Sequence, residues 1–404
     1  SQLDSAPSFI FSETAGLEQV FGWAWQGAVT SRNIMLLNTS LEQQYYPFLF
    51  RSCVDLGATD LVVKEDVITD PEAFHQAAAM AGYQQRNKFT EISVWRNIDR
   101  PYLVAKNPRC LVIGKHAGTI AVQFPEVEMA LSPCIDDYTL EKLEQYPMLI
   151  LSGASWNSKK QAEKLITDYA LSGGQVFIEM AGMPSNILAK QPEFLGVYGE
   201  PVSIRQEIEV RGEEIRVILP PLLHQEGAWM AYVPMGLDEV ELEFSYYGNQ
   251  APILGYKIIK GQKIWFLGAN LSYHAYQSRD SESAQLLQNI LGLNPGYAGD
   301  TLLPLQDYAA SEEGYRMSYQ LEQDREMIVP ISFIDGLVIK LDGNSIEADN
   351  YENLLKLHLP AGKHRLEIRI EKTAIFTWGL YLSLFTIFLV MAALVWPRKA
   401  GGQE

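Results

Sequence analysis

Cysteine is scarce in this chain of 404 residues, which contains only Cys53, Cys110 and Cys134. An odd and widely spaced set of three is not a disulfide framework, although one bridge outside the cell stays open. No two of them have the spacing of metal ligands, and Cys110 lies in an apolar run where a buried thiol is expected. We therefore expect neither a metal site nor a cofactor.

Positive charge is also in short supply. The chain has 32 lysines and arginines against 49 aspartates and glutamates, which gives a formal net charge of −17. A surface of this sign repels phosphate backbones and anionic lipid. The charge balance excludes nucleic acid as a partner, and by itself it selects no other.

A signal peptide is missing from the first residues, SQLDSAPSFIF, which have neither a basic nor an apolar region. The long uncharged run lies instead at 374–396, AIFTWGLYLSLFTIFLVMAALVW. At ~1.5 Å per helical residue this run spans roughly 34 Å, enough to cross a hydrocarbon core of ~30 Å. It predicts a transmembrane helix and makes the lipid bilayer an expected partner.

Basic residues after this run indicate its orientation. Arg398 and Lys399 lie in the tail at 397–404, which favours a cytoplasmic tail, although basic residues before the run weaken the contrast. We therefore expect a cell-membrane protein with the bulk of the chain extracytoplasmic. Because export of a large region needs an upstream signal, we also expect this chain to be the C-terminal part of a longer membrane protein.

Hydrophobic patterning divides the remaining residues into a mixed α/β segment at 1–107, an alternating α/β domain at 108–300 and a small β-sandwich at 310–371. A helix with apolar residues at helical spacing lies inside the middle segment. The alternation predicts a doubly wound α/β sheet with an antiparallel extension at about 200–260. Short apolar runs predict its buried parallel strands at 110–113, 148–151, 176–178 and 264–267.

Three stretches carry a resemblance to a known fold: MLILSG, SGGQVFIEMAG and WFLGANLSYH. Together they resemble the flavodoxin-like, class I glutamine-amidotransferase-like fold over roughly 108–295. In that family a G-x-C-x-G elbow bears the nucleophile, and Met180 stands where its cysteine would be, with a thioether that has no proton to lose. His274 loosely matches the catalytic histidine, but Tyr276 replaces the glutamate that follows it. The resemblance implies the fold without the glutaminase reaction.

The flanks carry a second resemblance, in FGWAWQGAVTSRNIMLLNTSLEQQYYPFLFRSCVDLGATDLVV, ISFIDGLVIKLDGNSIEA and LPAGKHRLEIRI. They are similar to extracytoplasmic parts of polytopic bacterial membrane proteins of the 6-pyruvoyl-tetrahydropterin synthase-related group, akin to YfhO-like and other GT-C-type glycosyltransferases. The resemblance implies no pterin chemistry. It implies a role in cell-envelope polysaccharide or glycolipid assembly, a glycan or lipid-linked sugar as ligand, and a transferase half upstream of this chain.

The carboxyl edge of the predicted sheet holds the candidate pocket, because ligands of open α/β sheets bind there. His274 follows the last predicted core strand, and Glu179 ends an earlier one. The functional interpretation makes these two the polar groups of the pocket, and the alternative is a histidine hydrogen-bonded within a loop. No residue is assigned as catalytic. The candidate pocket residues are Gly153, Glu179, Gly182, Asn270, Tyr273 and His274.

Other patterns are weaker. Asp136 and Asp137 precede a predicted helix, where capping is the expected role and a divalent cation is the alternative. The run LVIGKHAG at 111–118 is neither a Walker loop nor GxGxxG, so it predicts a turn. His224 is expected to be structural. A set of aromatic residues either stacks on sugar rings or fills the core: Trp23, Trp25, Tyr45, Tyr46, Tyr246 and Tyr247.

Three functions remain open. The first is a non-catalytic binding or scaffold domain, anchored to the membrane, that serves cell-envelope glycan assembly. The second is a hydrolase that uses His274 and Glu179. The third is a purely structural domain that docks onto a partner glycosyltransferase. Convergence of His274 and Glu179 in a deep pocket would favour the second, and a filled strand edge would favour a scaffold.

Overall fold

The computed structural model describes residues 31–186, 188, 190–221, 229–246, 248–297, 299–311, 313–371 and 374–395. Strands dominate this part of the chain and form five sheets, of three, three, nine, five and five strands. Buried apolar side chains cover both faces of the nine-stranded sheet, and further clusters lie under the N-terminal helices and between the two five-stranded sheets. The nine-stranded sheet is the centre of the molecule and positions the site described below.

The N-terminal part packs three helices against a small antiparallel sheet of order β1-β3-β2. Its third helix begins at Pro71, where the carboxylate of Asp70 accepts a hydrogen bond of 3.0 Å from the amide of Ala73. The elements are α1 (Ser31–Glu42), α2 (Tyr46–Asp55), β1 (Asp60–Lys64), α3 (Pro71–Met80), β2 (Gln84–Lys88), β3 (Ile92–Arg96) and β4 (Tyr102–Ala105).

The central part follows with twelve strands and five helices among the described residues. These are β5 (Cys110–Ile113), α4 (Ala117–Ala121), β6 (Val127–Met129), α5 (Leu140–Leu143), β7 (Met148–Ser152), α6 (Lys159–Leu171), β8 (Gln175–Glu179), β9 (Glu193–Phe194), β10 (Val197–Ile204), β11 (Ile208–Arg211), β12 (Arg216–Leu219), β13 (Trp229–Met235), β14 (Glu239–Tyr246), β15 (Asn249–Ile259), β16 (Gln262–Leu267), α7 (Leu271–Ser278) and α8 (Ser281–Leu291). Nine of the strands form the central sheet, and β13-β10-β9 form a separate small one.

The central sheet has the order β12-β11-β14-β15-β16-β8-β7-β5-β6. The strands from β16 to β6 pair in parallel, whereas β15, β14, β11 and β12 extend one edge as antiparallel neighbours. The parallel strands are short and apolar because both of their faces are covered. Their carboxyl ends therefore meet along one edge of the sheet.

The C-terminal part consists of two facing five-stranded sheets, β17-β4-β20-β24-β23 and β18-β19-β25-β21-β22. Strand β4 comes from before the central part, so residues far apart in sequence share one sheet. The elements are β17 (Thr301–Pro304), β18 (Asp307–Ser311), β19 (Gly314–Leu321), β20 (Arg325–Ser332), β21 (Leu337–Leu341), β22 (Asn344–Ser345), β23 (Asp349–Tyr351), β24 (Leu354–Leu359), β25 (Gly362–Ile370) and a final helix α9 (Ala374–Val395).

The predicted fold class, an α/β chain built on a flavodoxin-like doubly wound sheet with one transmembrane helix, is wrong. The described residues form a sheet-rich structure of five sheets, and the central sheet is mixed because four antiparallel strands join its edge. Short apolar runs identify only strands that are buried on both faces. The half-exposed hairpin strands, which alternate polar and apolar residues, make up much more of the chain than that signal suggests.

The prediction of a transmembrane helix at 374–396 is also corrected. Helix α9 forms and exposes large apolar side chains, including Trp378 and Phe388. However, no helix within the described residues has both the length and the apolarity that crossing a membrane requires. The tail at 397–404 lies outside the described residues.

Candidate functional site

The carboxyl ends of the parallel strands bring the candidate residues to one edge of the central sheet. Lys115 follows β5, Gly153 follows β7, and Gly182 lies just beyond β8. The backbone of both glycines is left-handed, with φ of 67° and 77°, a conformation that costs least at glycine. These turns let the loops after three strands approach one another closely.

Glu179 is the last residue of β8 and is almost completely buried, with 2% of its surface exposed. Its carboxylate accepts hydrogen bonds from Ser152 Oγ at 2.8 Å and from the amide of Ser272 at 3.0 Å. The hydroxyl of Ser272 donates a further short hydrogen bond to it. Burial of a carboxylate is costly unless it is hydrogen-bonded, and these three donors satisfy that need from within the protein.

His274 is fully buried and lies on α7. Its Nε2 is 2.7 Å from the carbonyl oxygen of Pro220, and because a carbonyl only accepts, this nitrogen carries the proton. Its Nδ1 is 2.8 Å from Oγ of Ser283 on α8. Burial lowers the pKa of His274, against smaller opposing effects of Pro220 and Asp280, so the ring is neutral at pH 7. Both ring nitrogens hold neighbouring segments together.

The other candidate residues have similarly internal roles. The amide oxygen of Asn270 accepts a hydrogen bond of 3.1 Å from the amide of Tyr232. Met180, at the predicted elbow position, is buried, and a Cβ built on Gly199 would lie 3.0 Å from its Cβ. Tyr273 and Gly182 are the exposed members of the set. Glu179 and His274 therefore lie near the same edge, but each belongs to its own network of hydrogen bonds.

Lys115 and His116 are the residues at this edge that sequence reasoning missed. A Cβ built on Gly182 would lie 2.7 Å from Nε2 of His116 and 2.9 Å from Nζ of Lys115. A Cβ on Gly153 would lie 2.5 Å from Cδ2 of His116. Only glycine at these two positions leaves room for both basic side chains. The one available signal was LVIGKHAG, which was interpreted as a turn because it matches no phosphate-binding motif.

The electrostatics of His116 differ from those of His274. The imidazole of His116 is half-buried, and burial lowers its pKa. The positive charge of Lys115 lowers that pKa further, whereas the carboxylate of Glu179 raises it. Within the described residues, no hydrogen bond or ion pair engages the side chain of Lys115 or His116. Both are polar groups at a sheet edge.

A cavity of about 240 Å³ opens at the other end of β8, between α8 and the antiparallel extension. Trp265 lies parallel to Phe177 there, with ring centroids 6.2 Å apart, and meets the ring of Tyr256 edge-on at 5.1 Å. The cavity thus combines aromatic faces with amide and carboxylate groups. Its lining residues are Gln175, Phe177, Ile215, Glu241, Leu242, Leu254, Trp265, Asn289 and Ile290.

Asp136 binds the start of a helix, but this helix is α6 and not α5, which follows the acidic pair and is capped by Thr139. Asp136 accepts hydrogen bonds from the amides of Asn157 at 2.9 Å and Ser158 at 2.7 Å, directly before α6. Burial works to raise the pKa of Asp136, but these hydrogen bonds outweigh it and the pKa is lowered. Among the described residues, no group of three or more His, Cys, Asp or Glu side chains is arranged to hold a metal ion.

Three of the aromatic candidates lie among the described residues, and each packs within the protein. Tyr46 is completely buried. Tyr45 stacks on Tyr276, with ring centroids 5.7 Å apart, and donates a hydrogen bond of 2.9 Å to the carbonyl of Tyr276. Tyr246 is half-buried and packs at an angle on Phe244, with centroids 5.7 Å apart. Trp23, Trp25, Tyr247 and His224 lie outside the described residues.

A buried ionic cluster joins the three parts of the chain, and no sequence motif predicts it. Arg51 on α2 is 1% exposed. Its Nε is 2.8 Å from Asp55 Oδ2, and its Nη2 is 3.1 Å from Glu352 Oε1 and 2.7 Å from the hydroxyl of Tyr351. The same oxygen of Glu352 accepts a hydrogen bond of 2.8 Å from the amide of Met129.

The cluster continues through Lys106, whose Nζ is 2.5 Å from both Asp55 Oδ1 and Asp300 Oδ2. Burial raises the pKa of Asp55 to about 6, although Lys106 and Arg51 oppose the shift. Nearby, burial and then the charge of Glu352 raise the pKa of Glu128 to about 7. The N-terminal helices, the central sheet and the C-terminal sheets therefore share one electrostatic core.

Comparisons with known proteins assign no function. Residues 109–274 match the model of a domain of unknown function, DUF8560, and residues 1–107 match that of another, DUF8559. Neither match covers half of the chain. No curated protein is significantly similar to it.

Solved structures give only distant matches. Alpha-L-fucosidase isoenzyme 2 from Paenibacillus thiaminolyticus matches with 11% identity and a TM-score of 0.32, over 68% of this chain and 50% of that protein. Beta-galactosidase from Bacillus circulans sp. alkalophilus matches with 11% identity and a TM-score of 0.26, over 67% and 42%. The mmIFT52 N-terminal domain matches with 14% identity and a TM-score of 0.30, over 45% and 95%. The chain thus spans half or less of the first two proteins, and scores this low carry no argument.

Proposed function

We propose that the central part of this chain is a non-catalytic binding and scaffold module that serves cell-envelope glycan assembly, with the cavity beside Trp265 as its sugar site. The observation that carries the proposal is the lining of that cavity. Its role in the envelope rests on the resemblance of the flanks, and an extracytoplasmic location stays a prediction from the same source.

The lining matches the chemistry of a neutral sugar. A sugar ring offers an apolar face of C–H groups, which packs on an aromatic face such as that of Trp265. Its hydroxyls both donate and accept, as do the amides of Gln175 and Asn289, and the carboxylate of Glu241 accepts. A few polar groups around an apolar floor are the usual composition of small-molecule sites.

The state of the predicted catalytic groups supports a non-catalytic role. A hydrolase needs a carboxylate or imidazole within reach of the substrate. The carboxylate of Glu179 is taken up by two serines, and both nitrogens of His274 are engaged inside the protein. Met180 supplies no nucleophile. We therefore do not favour the hydrolase that would use His274 and Glu179.

A purely structural domain for a partner glycosyltransferase is the second candidate. The ionic cluster around Arg51 favours it, because buried pairs between distant segments fix those segments as one unit. Such a unit could present a rigid surface without binding any sugar. The two candidates differ in one measurable property, which is affinity for glycans.

Glycan binding tests the proposal directly. The protein would be titrated with neutral and acidic envelope oligosaccharides and with lipid-linked sugars, and binding followed by calorimetry and tryptophan fluorescence. We expect Trp265→Ala to reduce affinity at least tenfold, or about 1.4 kcal/mol, and Glu241→Gln and Asn289→Ala to reduce it by less. Trp156→Ala is the matched control, because Trp156 stacks on Phe194 in the core on the other face of the sheet.

The negative outcome is equally specific. If neither this chain nor the full-length protein binds any of these sugars, glycan binding is wrong and the structural role takes its place. If sugars bind but Trp265→Ala and Trp156→Ala behave alike, the cavity is not the site. Folding of each variant would be checked by its thermal unfolding.

A further inference from the structure

The carboxyl edge of the central sheet presents two basic groups to one point in space. Nζ of Lys115 and Nε2 of His116 both lie within 3 Å of the position that a Cβ of Gly182 would occupy. The two side chains extend from the turn after β5 over the turns after β7 and β8. Ligands of open α/β sheets bind at this edge, so the pair occupies the position where a ligand would meet it.

Neither side chain pairs with a group in the part of the chain that the structure describes. In the described ranges, the side chains of Lys115 and His116 make no hydrogen bond and no ion pair. The carboxylate of Glu179 raises the pKa of His116. Its oxygens already accept from Ser152 and Ser272, so it does not pair with either base. The chain has a net charge of −17. In such a chain it is unusual for two neighbouring basic side chains to lie beside a buried carboxylate without pairing with it.

The chemistry of the pair selects an oxyanion. The ammonium of Lys115 has three donors and no acceptor, and a neutral imidazole has one donor. An anion between them would accept hydrogen bonds from both. Its negative charge would also raise the pKa of His116, which the charge of Lys115 lowers. The side chains of Lys115 and His116 fill the space that a Cβ would take at 153 and 182, so the two glycines let both basic side chains lie close over these turns.

We propose that Lys115 and His116 bind the phosphate or carboxylate group of a small ligand over the turns at Gly153 and Gly182. This site lies at the opposite end of β8 from the cavity beside Trp265, so it is independent of the proposed sugar site. Failure of one leaves the other standing. Because anion binding favours the imidazolium, affinity increases as pH falls through the pKa of His116.

The test uses inorganic phosphate and acetate as probes, with methyl glucoside as the uncharged control. The C2 proton of His116 would be followed by NMR during pH titrations, and the His116→Asn variant would assign its signal. We expect phosphate or acetate to raise the pKa of His116 and methyl glucoside to leave it unchanged. The response to phosphate against acetate distinguishes the two anion classes.

Two variants locate the site. Lys115→Gln removes the positive charge on an exposed side chain and should weaken anion binding about tenfold, the loss of one charge-assisted hydrogen bond. Lys363→Gln is the matched control, because Lys363 is exposed and makes no ion pair among the described residues. His116→Asn should abolish the pH dependence of binding measured by calorimetry.

The proposal is overturned by either of two results. One is that neither anion shifts the pKa of His116 at any concentration that leaves the protein folded. The other is that Lys115→Gln and Lys363→Gln weaken binding equally, since the anion would then respond only to overall charge. Because Lys115 is exposed, its variant is expected to fold, and thermal unfolding would verify this.

Discussion

The charged groups around Arg51 and those around Lys115 illustrate two different uses of charge in one molecule. Arg51 is buried, and carboxylates from α2 and from the turn after β23 pair with it. Lys115 is exposed beside a half-buried histidine, and no acidic group within the described residues pairs with either. Both groups lie where segments distant in sequence come together.

The two groups differ in the source of the opposite charge that pairs with them. A buried charge without its partner is costly, and the protein places the carboxylates of Asp55 and Glu352 against Arg51. Removing such a partner costs folding free energy. An exposed charge without a partner costs the fold little, and its value appears only when a ligand arrives. Stability measurements therefore separate structural charge from binding charge.

The largest effect is expected at Arg51. The Arg51→Met variant leaves Glu352 buried without this cation and Asp55 with Lys106 alone, which should lower the free energy of unfolding by about 3–5 kcal/mol. Arg96→Met is the control, because Arg96 pairs with Asp60 at 2.6 Å at the surface and its loss should cost far less. Equal losses in urea unfolding of the two variants would show that the Arg51 cluster is not a structural core.

Glu128 gives the next largest effect, and its sign depends on pH. Burial and Glu352 raise its pKa to about 7 from an ordinary value of 4.5, against the charges of Lys356 and Lys142. Between these two values the folded state holds a proton that the unfolded state has lost. The free energy of unfolding therefore falls as pH rises through this window.

The Glu128→Gln variant cannot ionise, so this fall should disappear. At pH 8 we expect the variant to be more stable than the native protein by up to about 3 kcal/mol, and at pH 4.5 the two should be alike. Urea unfolding at several pH values measures the difference, and Glu322→Gln, an exposed glutamate, serves as control. A difference that stays constant with pH would contradict the buried, raised pKa.

The strands of the parallel core were predictable from sequence because burial on both faces leaves an uninterrupted apolar run. Cys110–Ile113 is such a run, and its four side chains are all buried. Strand β4 was not predicted as part of the C-terminal sheets, because its partners follow about two hundred residues later. Its apolar side chains reveal a buried strand but not which sheet it joins.

The candidate site was predictable in place but not in chemistry. Residues after parallel strands share an edge, so Gly153, Glu179 and His274 could be grouped from sequence. Their hydrogen-bond partners could not, because Ser152 and Ser272 look like any other serines. Lys115 could not be recognised as a binding residue from the sequence. What distinguishes it is that no described residue pairs with its side chain, and a sequence does not show which groups pair.

A smaller effect is expected where a buried hydrogen bond is removed without leaving a charge. Ser283→Ala removes the hydroxyl that contacts Nδ1 of His274 and Asp280, which should cost about 1–2 kcal/mol. The amide of residue 283 still donates to Asp280, so the cap of α8 remains. Ser281→Ala, at an exposed position on the same helix, is the control. No loss of stability in Ser283→Ala would mean that the hydrogen bond between Ser283 and His274 does not stabilise the fold.

The smallest effect is expected at Lys115, and it completes the contrast with Arg51. Lys115→Gln removes an exposed charge that pairs with none of the described residues, so the free energy of unfolding should change by less than about 0.5 kcal/mol. The same substitution should weaken anion binding about tenfold. Urea unfolding without and with saturating phosphate measures both, because a bound anion adds stability in proportion to its affinity. A clear loss of stability without phosphate would mean that Lys115 is as structural as Arg51, and pairing would no longer separate the two uses of charge.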